Sequence, residues 1–185
     1  MALHLARSAW RGSLLAVLLL CGQLSYADKL AKIHQDIEQK YEQVEHLSAD
    51  QFLALDPVST ILFDVRDDKE YRVSHLDNAV RVSPGISAED FLAAHGNLID
   101  GKTAVFYCSV GHRSSKLIDR IASSNAAAEQ DLVLYNLTGG IFRWVNEDRE
   151  LDSGLVHPNN WFRERLITDK DKISYKPANQ SKESE

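Results

Sequence analysis

Basic residues are in the minority in this chain of 185 residues. Lysine and arginine number 21 against 27 acidic residues, which gives a formal net charge of -6. This balance disfavours general binding to nucleic acid or to anionic lipid surfaces. The histidines lack the spacing typical of a metal site, so no metal is expected, and no organic cofactor is expected either. No internal repeat is present, and the length suits a single domain.

The one extended apolar run near the N-terminus is short. It covers residues 14–20, follows Arg7 and Arg11, and is followed by Ser25-Tyr26-Ala27. A bilayer span needs about 20 residues, so this run is too short to cross comfortably. The pattern is typical of a secretory signal peptide over residues 1–27, with cleavage before Asp28. A periplasmic or secreted protein without a stable membrane span is therefore expected, an uncleaved anchor being the alternative.

Cysteine is scarce. The chain has two, Cys21 and Cys108, and removal of the predicted signal peptide leaves Cys108 alone. An intramolecular disulfide would then be impossible, although an exported protein meets oxidising conditions. A lone thiol in such a protein is either buried and inert or kept for chemistry.

The rest of the chain alternates helix-like and strand-like patterns. Apolar residues at steps of three and four predict an amphipathic helix over residues 28–47, packed against the domain that follows rather than forming a dimer contact. The alternation beyond it predicts an α/β fold, with a central parallel sheet and helices on both faces. The tail from about residue 168 is poor in apolar residues and is expected to be disordered. Strands are predicted at 61–65, 103–107 and 132–135, and helices at 48–55, from 87 to about 95, from 114 and at 141–146.

The most informative segment begins at Cys108, which follows a buried strand and precedes a short loop and a helix. Backbone N–H groups in such a loop, together with the helix N-terminus, converge on one atom and stabilise a thiolate. Gly111 permits a backbone conformation that a side chain would hinder. Arg113 adds a forked set of donors for a sulfur oxyanion, and Ser114 is expected to cap the helix. The predicted site has Cys108 as nucleophile and Ser109, Val110, Gly111, His112, Arg113 and Ser114 as the substrate-binding loop.

The pattern Cys108-x-x-Gly111-x-Arg113-Ser114 resembles the active-site loop of the rhodanese superfamily. The stretches 64–76 and 137–144 resemble that family's early and closing signatures. The resemblance covers roughly residues 48–150 and implies a single rhodanese-like domain, followed by an extension over 151–185. It also implies a sulfurtransferase that moves sulfane sulfur from a small anionic donor, thiosulfate or a persulfide, to a thiophilic acceptor, cyanide or a thiol. The carrier would be a Cys108 persulfide, with Arg113 orienting the donor and stabilising the leaving oxyanion.

Departures from the family pattern narrow these implications. Ser109 occupies a position that is basic in many thiosulfate-using members, which argues against thiosulfate as the physiological donor. Four residues separate Cys108 from Arg113, whereas similar phosphatases have five and arsenate reductases of this fold share the shorter loop. The alternatives are a non-catalytic binding module, an arsenate reductase or a phosphatase on the same fold.

Two features outside the loop complete the comparison with the family. Ser74 and Asn78 replace glycines that are frequent in the family. Asp64, Arg66 and Glu70 are expected to form a structural polar network.

The predicted export can be tested directly. The mature chain is expected to begin at Asp28, because Ser25-Tyr26-Ala27 places small residues where signal peptidase cleaves. N-terminal sequencing of the protein from the cell-envelope fraction measures this. A cytoplasmic protein that still begins at Met1 would contradict the prediction.

Overall fold

The described part of the protein is an alternating series of helices and strands. The computed structural model describes residues 26–127 and 131–151. Most of the predicted signal peptide and the predicted disordered tail lie outside these residues. Within them, no helix is long and apolar enough to cross a membrane. The helices are α1 Tyr26–Lys40, α2 Ala49–Leu53, α3 Asp68–Val73, α4 Ala88–Ile99, α5 His112–Ala122 and α6 Gly140–Asn146, with a 3-10 turn at Asn125–Ala127; the strands are β1 Glu45–Leu47, β2 Thr60–Asp64, β3 Val80–Arg81, β4 Thr103–Tyr107 and β5 Val133–Leu137.

The five strands form one parallel sheet in the order β1-β5-β4-β2-β3. β4 is the central strand, paired with β2 through Leu62 and Val105 and with β5 through Val105 and Tyr135. All carboxyl ends therefore lie at one edge of the sheet, where α/β proteins place their ligand sites. The predicted α/β architecture with a central parallel sheet is confirmed.

Alternate residues of β4 enter two separate cores, because successive side chains of a strand point to opposite faces. Ala104 and Phe106 pack in the core that includes α4 and α5. Val105 and Tyr107 pack in the core that includes α6. Helices thus cover both faces, and the continuous apolar run of β4 follows from its burial on both sides.

The N-terminal helix ends earlier than the sequence pattern predicts. Helix α1 stops at Lys40, and Glu45–Leu47 form the edge strand β1 instead of a last helical turn. Tyr41 and Val44 continue the helical spacing, but both are buried in the core while the chain turns between them. The prediction of a helix through residue 47 was wrong there, because parallel pairing with 135–137 of β5 outweighs local periodicity.

The other predicted elements are present, most of them with shifted ends. Ser48 caps α2 with a capping box completed by Gln51, and Ser87 caps α4, which continues to Ile99. The short helix α3 and the two-residue strand β3 have no counterpart among the predicted elements. Asn78 adopts a left-handed φ of 59°, which shows how asparagine can stand at a turn where glycine is frequent.

A buried polar network ties β2 to β4 beneath the carboxyl edge of the sheet. Arg66 is 1% exposed and donates to both carboxylate oxygens of Asp64, at 2.6–3.1 Å, and to the Ser74 carbonyl at 2.5 Å. The Tyr107 hydroxyl donates to Asp64 at 2.6 Å and accepts the Leu76 N–H at 3.0 Å. Burial, and then the Asp64 charge, raise the pKa of Tyr107, so its hydroxyl stays protonated and keeps donating.

Tyr107→Phe should destabilise the fold by about 1–3 kcal/mol, because it removes a donor from buried Asp64 and leaves the Leu76 N–H without its acceptor. Urea unfolding measures the change. Tyr135→Phe, a half-buried tyrosine on the neighbouring strand, is the matched control and should cost less than about 0.5 kcal/mol. Equal losses in the two variants would contradict a specific role for the Tyr107 hydroxyl.

Candidate active site

Cys108 lies directly after the central strand, at the carboxyl edge of the sheet. It is 1% exposed, is not in a disulfide, and packs in the core on the α4 and α5 face. Val65 donates its N–H to the Tyr107 carbonyl at 2.8 Å, so the backbone just before the cysteine is held by β2. The thiol therefore sits at the base of the loop and not at its exposed tip.

Gly111 brings the loop back over the sulfur. Its N–H points to the Cys108 Sγ at 3.2 Å. Its φ is 99°, a conformation that strongly favours glycine. A Cβ at this position would also lie 2.9 Å from the Nδ2 of buried Asn136. Both the backbone conformation and the close packing therefore require glycine at this position.

Helix α5 begins immediately after Gly111, and its N-terminus faces the loop. The Ser115 N–H closes the first turn on the Gly111 carbonyl at 3.0 Å. The N–H groups of residues 112–114 precede that turn, and such groups have no intrahelical acceptor. Together with the helix dipole they favour a negative charge at this end of the helix. The thiolate predicted from the sequence would lie at this end of the helix.

Ser114 does not cap α5, contrary to the sequence prediction. The helix begins at His112 with Gly111 in the N-cap position, so Ser114 lies inside the first turn. Its hydroxyl is fully buried and donates to the Gly111 carbonyl at 3.1 Å. The left-handed Gly111 allows the helix to start two residues earlier than expected, and Ser114 instead supports the loop backbone.

The N-terminus of α6 holds the other side of the loop. The Ile141 N–H donates to the Cys108 carbonyl at 2.9 Å, and the Phe142 N–H donates to the Ser109 carbonyl at 3.1 Å. In a trans peptide the N–H points away from the carbonyl of the same peptide unit. The N–H groups of Ser109 and Val110 therefore face away from α6. A Cβ on Gly140 would overlap the Cys108 carbonyl oxygen, which explains the glycine at this close approach.

Arg113 forms a forked ion pair with Glu70 of α3. Its Nη1 lies 2.7 Å from Glu70 Oε2 and its Nη2 lies 2.8 Å from Oε1. The same Nη2 donates to the Ser109 hydroxyl at 2.9 Å, and that hydroxyl lies 3.1 Å from Glu70 Oε1. Glu70, Ser109 and Arg113 are called the clamp below. The expected polar network thus divides in two, since Glu70 contacts loop residues while Asp64 and Arg66 lie beneath the loop.

The clamp keeps both of its charges. Burial opposes ionisation of Glu70, but hydrogen bonds and charge from Arg113 outweigh burial and lower the pKa of Glu70 to about 2. Burial likewise opposes the charge of Arg113, and Glu70 with the sulfur of Cys108 raise the pKa of Arg113 above its ordinary value. The guanidinium therefore interacts with the sulfur of Cys108 while both of its terminal nitrogens contact Glu70.

The two remaining loop residues take different positions. Val110 is half-buried and packs against the core of the α6 face. His112 is exposed, with its ring edge-on to Tyr41 at a centroid distance of 5.6 Å. Desolvation, followed by the charges of Lys40 and Lys116, lowers the pKa of His112, so the ring is neutral near pH 7. The structure thus brings all seven predicted site residues into one loop and helix start.

Besides Glu70 of the clamp, two further residues near the loop were not among the predicted site residues. Asn136 is fully buried beneath Gly111 and contacts His46 of β1 at 3.1 Å. Tyr107, just before the cysteine, anchors the loop to Asp64. The only sequence signal for Asn136 is a polar residue within a core strand, which is a weak one. Their contacts come from segments far apart in the chain.

These features define a class of protein. It is a parallel α/β domain in which a cysteine follows the central strand and a backbone N–H of the next loop points at its sulfur. The chain belongs to the family of the rhodanese-like domain, whose model matches residues 41–147. The match starts before the expected residue 48, and it includes β1 as the edge strand of the same sheet.

The chain is similar to parts of known proteins in both sequence and structure. It is 32% identical over 127 residues to a tRNA uridine(34) hydroxylase of Photorhabdus laumondii, covering 66% of this chain and 35% of that protein. It is 34% identical over 89 residues to a tRNA uridine(34) hydroxylase of Cupriavidus taiwanensis, covering 47% and 30%. The chain thus spans about a third of the length of these relatives. A thiosulfate sulfurtransferase structure from Pseudomonas aeruginosa matches with a TM-score of 0.50 and 20% identity, over 68% of this chain and 23% of that one, which supports the fold alone.

The ionised clamp should make stability depend on pH. Folding lowers the pKa of Glu70 from 4.5 to about 2, so its carboxylate stabilises the fold above about pH 4.5, and this contribution is lost as the pH falls toward 2. Glu70→Gln should therefore cost about 1–3 kcal/mol at pH 7. The difference from the wild type should shrink steadily below pH 4.5.

Unfolding free energies measured at several pH values test this dependence. Glu147→Gln is the matched control, because Glu147 pairs with Arg143 and Arg149 at the protein surface, where an ion pair contributes less than about 1 kcal/mol. A difference between the wild type and Glu70→Gln that is constant from pH 7 to pH 3 would contradict an ionised Glu70 as the source of the stability.

Proposed function

We propose that this protein is a sulfurtransferase that carries sulfane sulfur as a persulfide on Cys108. The observation that carries the proposal is the Gly111 N–H directed at the Cys108 Sγ at 3.2 Å, inside a loop facing a helix N-terminus. An anionic outer sulfur bound to this cysteine would meet the same donors. A thiosulfate-type activity is one form of the proposal, and a persulfide donor is the other.

The proposed reaction has two steps, as in other covalent catalysis. In the first step the Cys108 thiolate attacks the outer sulfur of the donor, and a bond forms between the two sulfurs. The bond between that outer sulfur and the rest of the donor breaks, and the leaving group departs with the electron pair. In the second step a thiophilic acceptor, cyanide or a thiol, attacks the outer sulfur and the Cys108 thiolate leaves. Loop N–H groups stabilise the negative charge on sulfur throughout.

The loop length favours sulfur over phosphate. Four residues lie between Cys108 and Arg113, and Val110 and the α6 contacts keep this loop tight around one atom. A phosphoryl group would need donors around three oxygens as well as the sulfur. Arg113, the residue suited to such an oxyanion, is already paired with Glu70. These observations support sulfur transfer over a phosphatase.

The proposed setting is the periplasm or the cell exterior, following the predicted signal peptide over residues 1–27. Sulfur-containing donors and thiophilic acceptors are the proposed partners. We do not propose a tRNA hydroxylase activity for this chain, because its match spans about a third of the tRNA uridine(34) hydroxylases.

Cys108→Ser should abolish sulfur transfer and leave the fold intact. The wild type, incubated with a sulfane sulfur donor, should gain about 32 Da, one sulfur atom, on the Cys108 peptide, and cyanide should remove it. The stability should change by less than about 1 kcal/mol, because a serine oxygen can also accept the Gly111 N–H. Mass spectrometry, a transfer assay and urea unfolding measure the three effects.

Each outcome of this experiment separates the proposal from an alternative. Transfer at the wild-type rate by Cys108→Ser would contradict the mechanism. A folded wild type that gains no sulfur from thiosulfate or from a persulfide would favour a binding module. Loss of folding in the variant would instead indicate a structural thiol.

A further inference from the structure

The clamp pairs the arginine of the candidate site with a carboxylate. Arg113 is the positively charged residue that the loop itself supplies, and both of its terminal nitrogens contact Glu70. Glu70 is 3% exposed, so its carboxylate lies where water screens charge poorly, while the Arg113 side chain is partly open to solvent. Asp67, on the solvent side, adds a second carboxylate 3.5 Å from Arg113 Nη1. The surroundings of the guanidinium are thus neutral to acidic.

We propose that Glu70 is a specificity-determining residue that selects the sulfur donor by its charge. By neutralising Arg113, it disfavours dianionic donors such as thiosulfate and favours monoanionic ones, the class that includes alkyl persulfides and thiosulfonates. The inference rests on the proposed function, since it concerns the first step of that reaction.

The charge balance of the first step explains why this position matters. With thiosulfate, the Cys108 thiolate forms a bond to the outer sulfur, the S–S bond of thiosulfate breaks, and sulfite leaves as a dianion with the electron pair. With an alkyl persulfide anion, the same bond forms and an alkyl thiolate leaves with one negative charge. The site must therefore hold three negative charges in the first case and two in the second. A loop whose arginine is already paired stabilises the smaller charge better.

The other residues around the loop agree with this selection. Ser109 is a neutral member of the clamp, and its hydroxyl is already shared between Glu70 and Arg113. Lys40 and Lys116 are exposed and lie near His112. Charges in that position are screened by solvent and attract anions without discriminating strongly between them. The buried charge that can discriminate is the one shared by the clamp.

Two donors that differ in charge but not in the reacting atom provide the test. Thiosulfate is a dianion, and methanethiosulfonate is a monoanion that also offers an outer sulfur. Sulfur loading of the mature protein is followed by mass spectrometry, and each rate is divided by the rate of that donor with free cysteine, which corrects for intrinsic reactivity. The wild type should prefer methanethiosulfonate by about tenfold after this correction, the usual worth of a hydrogen bond to a charged group.

Removing the carboxylate charge should abolish most of this preference. Glu70→Gln should reduce the corrected preference about tenfold, mainly by speeding loading from thiosulfate. Asp68→Asn is the matched control, because it removes the same charge from the same helix at a residue that pairs with Arg72 and Arg81 instead. Its donor preference should equal that of the wild type.

The results distinguish donor selection from the proposed function. Equal corrected rates for the two donors in the wild type would overturn donor selection, and this measurement holds even where Glu70→Gln fails to fold. An unchanged preference in a folded Glu70→Gln variant would overturn it as well. No loading of the wild type from either donor would instead overturn the proposed sulfurtransferase, and the donor selection with it.

Discussion

The geometry around Cys108 depends on two hydrogen bonds from the N-terminus of α6 to the loop. The N–H groups of Ile141 and Phe142 hold the carbonyls of Cys108 and Ser109, and this turns the following amides toward the opposite side. Gly140 must lack a side chain for the helix to come so close. Because α6 follows β5 directly, the neighbouring strand of the sheet determines where the loop is held. One helix therefore stabilises the loop with its own unused N–H groups.

The charged residues near the loop form two layers, of which the lower fixes the backbone and the upper borders the loop. Asp64 and Arg66 form a fully buried pair below the sheet edge, completed by Tyr107. A buried pair of this kind contributes little net stability, since desolvation offsets much of the attraction, and its effect is to fix the backbone before the cysteine. Glu70 and Arg113 form the upper layer, which borders the loop and is partly open to solvent. The upper layer influences the charge that the loop can accept.

Periodicity predicted the interior of the domain better than its edges. Strand β4 matches its predicted range, 103–107, because it is buried on both faces and its sequence is apolar throughout. Strand β1 was read as helix, since residues 41–47 keep a helical spacing and only their pairing with β5 makes them extended. Strand β3 has two residues, too few to produce a pattern. Edge strands depend on their neighbours more than on their own sequence.

The sequence by itself determined the α/β class and the local plan of the site: an apolar strand, Cys108, a left-handed Gly111 and a helix start. These are short-range features, and each is encoded within a few consecutive residues. Only the tertiary structure decided what Arg113 contacts, because Glu70 lies 43 positions away in the chain. The sequence suggested a free fork for an oxyanion, whereas the fold brings α3 beside the loop and pairs that fork with a carboxylate. A contact between distant segments leaves no local pattern, since it arises when the sheet places their ends at one edge.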